Sequence, residues 1–378
     1  MNIIDKYLKE VFDKGGADLH LKVGRPPLMR LKGDLLPTDY PVISKKEIEE
    51  LLMPLLTDAQ KKKFENEKEL DFSYLIEGVA RFRGNIFYQL GNLGAVFRAI
   101  PVKAKTLDEL GIPPVLKELA FRNNGIILVT GPTGSGKSTT LAALVEYLNE
   151  NVHSHIITIE DPIEFVHTDK KCTINQREVG ADTRSFCDAL KRALRQDPDI
   201  ILVGEMRDSE TIQIAMTAAE TGHLVFSTLH TNDAKQSIDR IIDTFSPEQQ
   251  HQIRMQLAMT LAATVSQKLV KKSDGSGRIA VIEIMINTPT IKKLIEEGKA
   301  GQIDKVIAES AQFFKMQTMN QHLLQLVKDK VLTKEDALSA SNNPNDLRIM
   351  FQTQFGVTPP AEEPKKPSFG PQPPWQQK

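Results

Sequence analysis

The stretch "GPTGSGKST", residues 131–139, decides the fold. Its spacing is G-x-x-x-x-G-K-[ST]; it follows the apolar run "IILVT" (126–130) and opens the helical pattern "TTLAALVEYL" (139–148). Strand, glycine loop and helix in that order predict a phosphate-binding turn. Gly131, Gly134 and Gly136 let backbone N–H groups turn inward around phosphate oxygens, and the helix N-terminus adds positive potential. Pro132, Thr133 and Ser135 complete the loop. Lys137 is expected to reach the β- and γ-phosphates, and the hydroxyl of Ser138, with Thr139 beside it, to ligate Mg²⁺. The expected cofactors are therefore ATP and Mg²⁺.

Outward from the loop, short apolar runs alternate with helical patterns: "HIITIE" (155–160), "DIILVG" (199–204), "HLVFST" (223–228) and later "IAVIEIMI" (279–286). Four or five such runs with helices between them predict a parallel sheet covered on both faces. The helix in "DTRSFCDALKRALRQDP" is expected to open on Asp182 or Thr183, and the one in "SETIQIAMTAAETG" to run from Ser209 to Gly222.

Acids stand at the ends of these strands. Glu205 follows Val203 and Gly204, where a P-loop sheet offers a carboxylate toward Mg²⁺. "TIEDPIEF" brings Glu160, Asp161 and Glu164. Nucleotide hydrolysis needs an orienting or basic group for water as well as a metal carboxylate. Glu164 and Glu205 are the expected pair. In "GHLVFSTLHT", His223 and His230 bracket a third strand, and both are read as phosphate-sensing groups.

Residues 1–100 have a different texture. Ile4, Leu8, Val11 and Phe12 form a helical stripe, "DLHLKV" and "RPPLMRLKGDLL" read as strand and hairpin, and "VARFRGNIFYQLGNLGAVFRAI" is a second hairpin turning near Gly91 and Asn92. Arg81 and Arg83 share one face of its first strand, and Arg98 closes its second. A connector with the capping box Thr106-x-x-Glu109 spans 103–124. Helical patterns dominate from 288, and residues 359–378, with seven prolines and Trp375, read as a disordered tail. The expected divisions are 1–102, 103–124, 125–287, 288–356 and 357–378.

Composition bounds the function. The 378 residues carry a formal net charge of -1 with 6% aromatic residues, which argues against a nucleic-acid channel. Two cysteines, Cys172 and Cys187, exclude a four-thiolate zinc site. No apolar run approaches the ~18 residues of a membrane span, so no membrane insertion is expected. The chain reads as cytoplasmic.

The segments "GPTGSGKSTTLAALVEYLN", "HIITIEDPIEFVH", "INQREVGADTRSFCDALKRALRQDPDIILVGEMRD" and "TAAETGHLVFSTLHT" resemble the Walker A, Asp-box, Walker B and His-box signatures of secretion ATPases. More narrowly, residues 1–350 resemble the type IV pilus retraction ATPases, the PilT/PilU family. The resemblance implies an α/β architecture with a PAS-like N-terminal domain, a RecA-like P-loop ATPase core and a helical C-terminal region. It implies a homohexamer powering pilus disassembly at an inner-membrane platform protein, with a paralogous retraction ATPase as a further partner and peripheral association with the inner membrane at the pilus base. It places phosphate and metal roles on Gly134, Gly136, Lys137, Ser138 and Thr139, the Asp-box acid on Glu164, the Walker B acid on Glu205 and the His-box pair on His223 and His230. Arg81, Arg83 and Arg98 match N-domain arginines that approach nucleotide in such rings, whereas the core motifs offer no obvious arginine finger.

Two features depart from the family pattern. The tetracysteine motif of pilus-assembly and type II secretion relatives is lacking, which favours retraction. The family's A-I-R-N-L-I-R-E motif corresponds to "TIKKLIEE" (290–297), with Lys292 and Glu296 in place of its arginines, and "EDALSASNNPNDLRIMF" looks closer to the accessory PilU paralogue. A pilus-assembly ATPase, a nucleic-acid motor and a non-hydrolysing scaffold subunit are the alternatives.

Overall fold

The computed structural model describes residues 2–31, 33–100 and 104–355. The start of the connector and the proline-rich tail with Trp375 lie outside the described residues. Two sheets organise the chain.

The first is six-stranded and antiparallel, in the order β3-β2-β1-β6-β5-β4. Its strands are β1 (Asp18–Lys22), β2 (Leu28–Leu31), β3 (Asp34–Pro37), β4 (Glu69–Ile76), β5 (Ala80–Gln89) and β6 (Asn92–Ile100). Helices Ile3–Asp13, Lys45–Leu52 and Asp58–Glu67 supply Leu8, Ile48, Leu52 and Phe64 to a core shared with Leu19, Phe82 and Phe97. The first helix buries Ile4, Tyr7, Leu8 and Val11, whereas Phe12 is 39% exposed. The stripe therefore follows Tyr7 rather than Phe12, because a 3.6-residue repeat carries Phe12 past the buried edge. The second hairpin turns one residue earlier than expected. Gln89 pairs with Asn92, leaving Leu90 and Gly91 at φ 49° and 73° as the two-residue turn. Two consecutive positive φ values match the right-handed twist of the flanking strands.

The second sheet has seven strands in the order β13-β12-β7-β11-β10-β8-β9. They are β7 (Gly125–Thr130), β8 (His155–Glu160), β9 (Thr173–Glu178), β10 (Ile200–Val203), β11 (Leu224–Leu229), β12 (Leu261–Lys271) and β13 (Arg278–Ile286). All neighbours pair parallel except the edge strand β13, which runs antiparallel to β12. The alternation of β7 divides its side chains between two cores. Ile126 and Leu128 face helices Phe186–Ala193, Ser209–Glu220, Ala234–Asp243 and Pro247–Thr260. Ile127 and Val129 face helices Val115–Ala120 and Lys137–Asn151. Both faces are covered, as a run of continuous apolar strands requires.

Local differences from the sequence reading have physical causes. The helix expected from Asp182 begins at Phe186 with Ser185 as its cap, because the Asp182 carboxylate accepts the Glu178 N–H instead (2.8 Å). Thr106 and Glu109 exchange both capping-box bonds, at 3.2 and 2.7 Å, around a turn, and the helix follows at Val115. Toward the C-terminus, Thr288, Thr318 and Thr333 cap helices Pro289–Glu296, Met319–Lys328 and Lys334–Ala340.

Where β13 meets these helices, burial pushes the Glu283 carboxyl up to about 8, with Asp233 and Asp304 adding in the same direction. Its oxygen accepts the Ala234 N–H at 2.9 Å. A folded-state value above the unfolded one means that protonation stabilises the fold. That stability is full below about pH 4.5 and is lost as pH rises through about 8. Glu283→Gln should therefore raise Tm relative to wild type more at pH 9 than at pH 5, by calorimetry. An equal difference at both would assign the effect to packing.

Candidate active site

The glycine loop 131–136 leaves β7 at Thr130 and enters helix Lys137–Asn151. Gly131, at φ 145°, admits no side chain: a Cβ there would lie 2.3 Å from the Gln267 carbonyl oxygen and 2.5 Å from Ser135 Oγ. Gly134 and Gly136 also have positive φ, 77° and 92°. The Gln267 side chain, on β12, fastens the loop by donating to the Ser135 carbonyl at 2.8 Å and accepting the Thr140 hydroxyl at 3.0 Å. Lys137 is buried, and its ammonium donates to the carbonyls of Gly131 (2.8 Å) and Pro132 (3.2 Å). Burial pushes Lys137 below the ordinary lysine range, and the carboxylates of Glu164 and Glu205 oppose that shift.

The loop forms one wall of a cavity of about 480 Å³, where Thr133, Gly134, Gly136, Lys137, Ser138 and Thr139 meet Glu164, Glu205 and His230. The sheet accounts for this meeting, since β7, β11, β10 and β8 are adjacent and parallel and end on the same side. Gly204 explains why the acid of β10 arrives one residue late. Its N–H donates to the Ile159 carbonyl at 2.8 Å, and a Cβ would sit 3.2 Å from that oxygen. The chain thus holds against β8 for one more residue before delivering Glu205. Thr228, at the end of β11, donates to the Gly204 carbonyl at 2.6 Å and tightens the same corner.

Glu205 is mostly buried, pairs with Arg207, and lies 3.5 Å from His230 Nε2. Glu164 is exposed on the loop after β8 but faces the same cavity. Glu160 is held differently: Thr158 Oγ1 (2.6 Å) and Gln176 Nε2 (3.2 Å) donate to it, and burial raises its carboxyl above the ordinary range.

Not every expected residue reaches the cavity. His223 stands at the opposite end of β11, where its carbonyl accepts the Gly125 N–H at the start of β7. Its ring bonds to the Ala218 carbonyl (2.9 Å) and the Thr221 hydroxyl (3.2 Å). A strand of six residues separates it from His230, about 20 Å. The reading that put both histidines at the phosphates is thus corrected for His223. Bracketing a strand in sequence puts two residues at opposite ends of the sheet.

The N-terminal arginines lie outside the cavity as well. Arg83 and Arg98 are direct partners across β5 and β6. Arg98 Nε donates to Asp18 at 2.8 Å yet stays 70% exposed, and Arg83 lies 3.6 Å from Asp71. Arg81 is engaged in its own chain, 2.9 Å from Glu178. The core, in turn, does bring arginines to the cavity, Arg207 and Arg278. Arg207 lies two residues after Glu205, in the segment that ends "GEMRD". Gln267 lies on β12, which has no counterpart among the apolar runs, whereas Arg278 opens β13 one residue before the run "IAVIEIMI".

Comparison with known proteins agrees with this architecture. Residues 95–339 match the family model for type II/IV secretion system proteins. The pilus retraction ATPase PilT of Pseudomonas aeruginosa is 50% identical, over 88% of this chain and 96% of its own. The ATPase PilU of the same organism is 42% identical, over 92% of this chain and 91% of its own. A crystal structure of the pilus retraction motor PilT with bound ADP superposes with a TM-score of 0.86 at 45% identity, covering 93% of this chain and all of that one. Likeness of this depth, over about nine-tenths of the chain, places it in the type II/IV secretion ATPase family and, within it, among the PilT/PilU retraction ATPases.

Proposed function

We propose that this chain is the catalytic subunit of a ring-shaped motor that converts ATP hydrolysis into pilus retraction. ATP hydrolysis is the reaction of its family. The observation that carries the reading is the convergence of Lys137, Glu164 and Glu205 on one cavity, with Arg83 and Arg98 presented outward from a separate sheet. The backbone of 131–136 and the Lys137 ammonium hold the β- and γ-phosphates. A water oxygen attacks the γ-phosphorus, its proton passes toward Glu164 or Glu205, and the bond to the bridging oxygen breaks to release ADP. Glu164, more exposed, suits the water, and Glu205, fixed beside His230, suits the metal side.

The Mg²⁺ that accompanies ATP fits this donor set. Among the described residues no cluster of three or more His, Cys, Asp or Glu could hold a metal alone, so Ser138 and Glu205 would share it with phosphate oxygens. Bound there, it neutralises charge on the phosphates.

The motor is read as a homohexamer acting on an inner-membrane platform protein at the pilus base, alongside a paralogous ATPase. No helix among the described residues is long and apolar enough to cross a membrane, so attachment to the membrane would run through that platform. The higher identity to PilT (50%) than to PilU (42%) favours the principal retraction role.

Arg83 and Arg98 are assigned to a neighbouring subunit's nucleotide, where an arginine in trans is worth about 10³–10⁵ in rate. Subunit mixing tests this. An Arg83→Ala, Arg98→Ala double variant and a Glu205→Gln variant should each be nearly inactive, and mixed rings should regain turnover. No recovery in well-exchanged rings would remove the trans assignment.

A further inference from the structure

Glu178 ends β9 and is only 6% exposed. Its carboxylate accepts the Ser73 hydroxyl at 2.9 and 3.1 Å, Arg81 Nη2 at 2.9 Å and the Ile163 N–H at 3.2 Å. Ser73 and Arg81 belong to β4 and β5 of the first sheet, and Glu178 to the edge of the second. Among the described residues, no other side-chain hydrogen bond or ion pair joins these two sheets. Ile163 directly precedes Glu164. One buried carboxylate thus touches both the N-terminal sheet and the loop that carries a catalytic acid.

We propose that Glu178 is a positioning residue for ATP hydrolysis, holding the Glu164 loop in place only while Ser73 and Arg81 of the N-terminal sheet are seated on it. A single oxygen, Oε2, takes both the guanidinium and the Ile163 N–H. Removing the guanidinium leaves a buried charge that must find other donors or water, and the backbone bond to Ile163 is the one at stake. The junction is also built to part. Arg81 makes one bond rather than a bidentate pair, and its Nε is buried without a partner. The angle between the two sheets then sets the readiness of the Glu164 loop. Arg81, expected to serve a neighbour, serves its own subunit instead.

This inference rests on the role given to Glu164 above, and the test separates the two. Full-length wild type is compared with Glu178→Gln and Arg81→Ala by steady-state ATPase kinetics, amide exchange of the peptide containing Ile163, and spin-label distances. The labels sit on exposed Glu50 and Lys293, with labelled chains diluted into unlabelled ones. Each variant should lower kcat about 10- to 100-fold, since small misplacements near the chemistry cost that much, with KM within about twofold. Exchange at Ile163 should quicken, the distance distribution should widen, and the double variant should be no worse than the worse single one. Additive losses, or wild-type exchange and distances in folded variants, would overturn the proposal. So would widened distances with unchanged kcat. If Glu178→Gln does not fold, Arg81→Ala and Ser73→Ala carry the same test from the N-terminal sheet. A normal kcat in Glu164→Gln would strike the role of Glu164, while the exchange and distance readouts still judge the junction.

Discussion

Lys137→Ala is expected to abolish ATP turnover and weaken nucleotide binding while the protein stays folded. The side chain is 9% exposed at the first turn of helix Lys137–Asn151, directly behind the loop. In the proposed site it brings a point charge to the β- and γ-phosphates, where charge builds as the bridging bond breaks. Alanine is the best helix former, so the turn should persist. Lys137 now satisfies two carbonyls, on the buried Gly131 and the exposed Pro132. Losing the bond costs about 1–3 kcal/mol at the buried Gly131 carbonyl and about 0.5–1.5 kcal/mol at Pro132, which leaves both cores of the second sheet intact. Phosphate release and calorimetric titration with ATP measure both effects. Near-normal turnover would remove the phosphate-loop assignment.

Glu205→Gln and Glu164→Gln should each bind ATP and hydrolyse it about 10²–10⁴-fold more slowly, the range for loss of a base or water-orienting group. Glutamine keeps the size and one acceptor oxygen of glutamate. In Glu205→Gln it removes the charge facing Arg207 and His230, and in Glu164→Gln the charge that the loop after β8 brings to the same cavity. Both carboxylates raise the affinity of Lys137 for its proton, so either change also leaves that ammonium less favoured in its buried site. Single-turnover measurements separate binding from chemistry. A loss confined to Glu205→Gln would leave Glu164 as an exposed loop acid, a loss confined to Glu164→Gln would leave Glu205 as the partner of Arg207 and His230 alone, and normal turnover in both would dismiss the pair.

Much of this site was legible because its parts follow local rules. A glycine loop between an apolar strand and a helix has few other readings, and parallel neighbours must end on the same side. What escaped was set by partners distant in sequence. β9, "TINQRE", is an edge strand with a polar outer row, and only pairing to β8 makes it a strand. β12 follows helix Pro247–Thr260 without a glycine or proline, and its small buried residues Ala262, Ala263 and Thr264 show no alternation. With those two strands went Gln267, which fastens the glycine loop, and Glu178, which meets the N-terminal sheet. His223 failed for a simpler reason, the length of one strand. The side-chain engagements of Arg81 and Arg207 depend on which acid folding brings near, and no local pattern encodes that.

The most direct measurement replaces the chromosomal copy with Glu205→Gln and follows fluorescently labelled pili on living cells. ATP turnover at the tips of β7, β8, β10 and β11 drives retraction in this account. The variant strain should therefore extend pili at a normal rate and retract almost none, while the purified variant still binds ATP. Retraction at the wild-type frequency and speed, with the variant protein present at normal abundance, would contradict it.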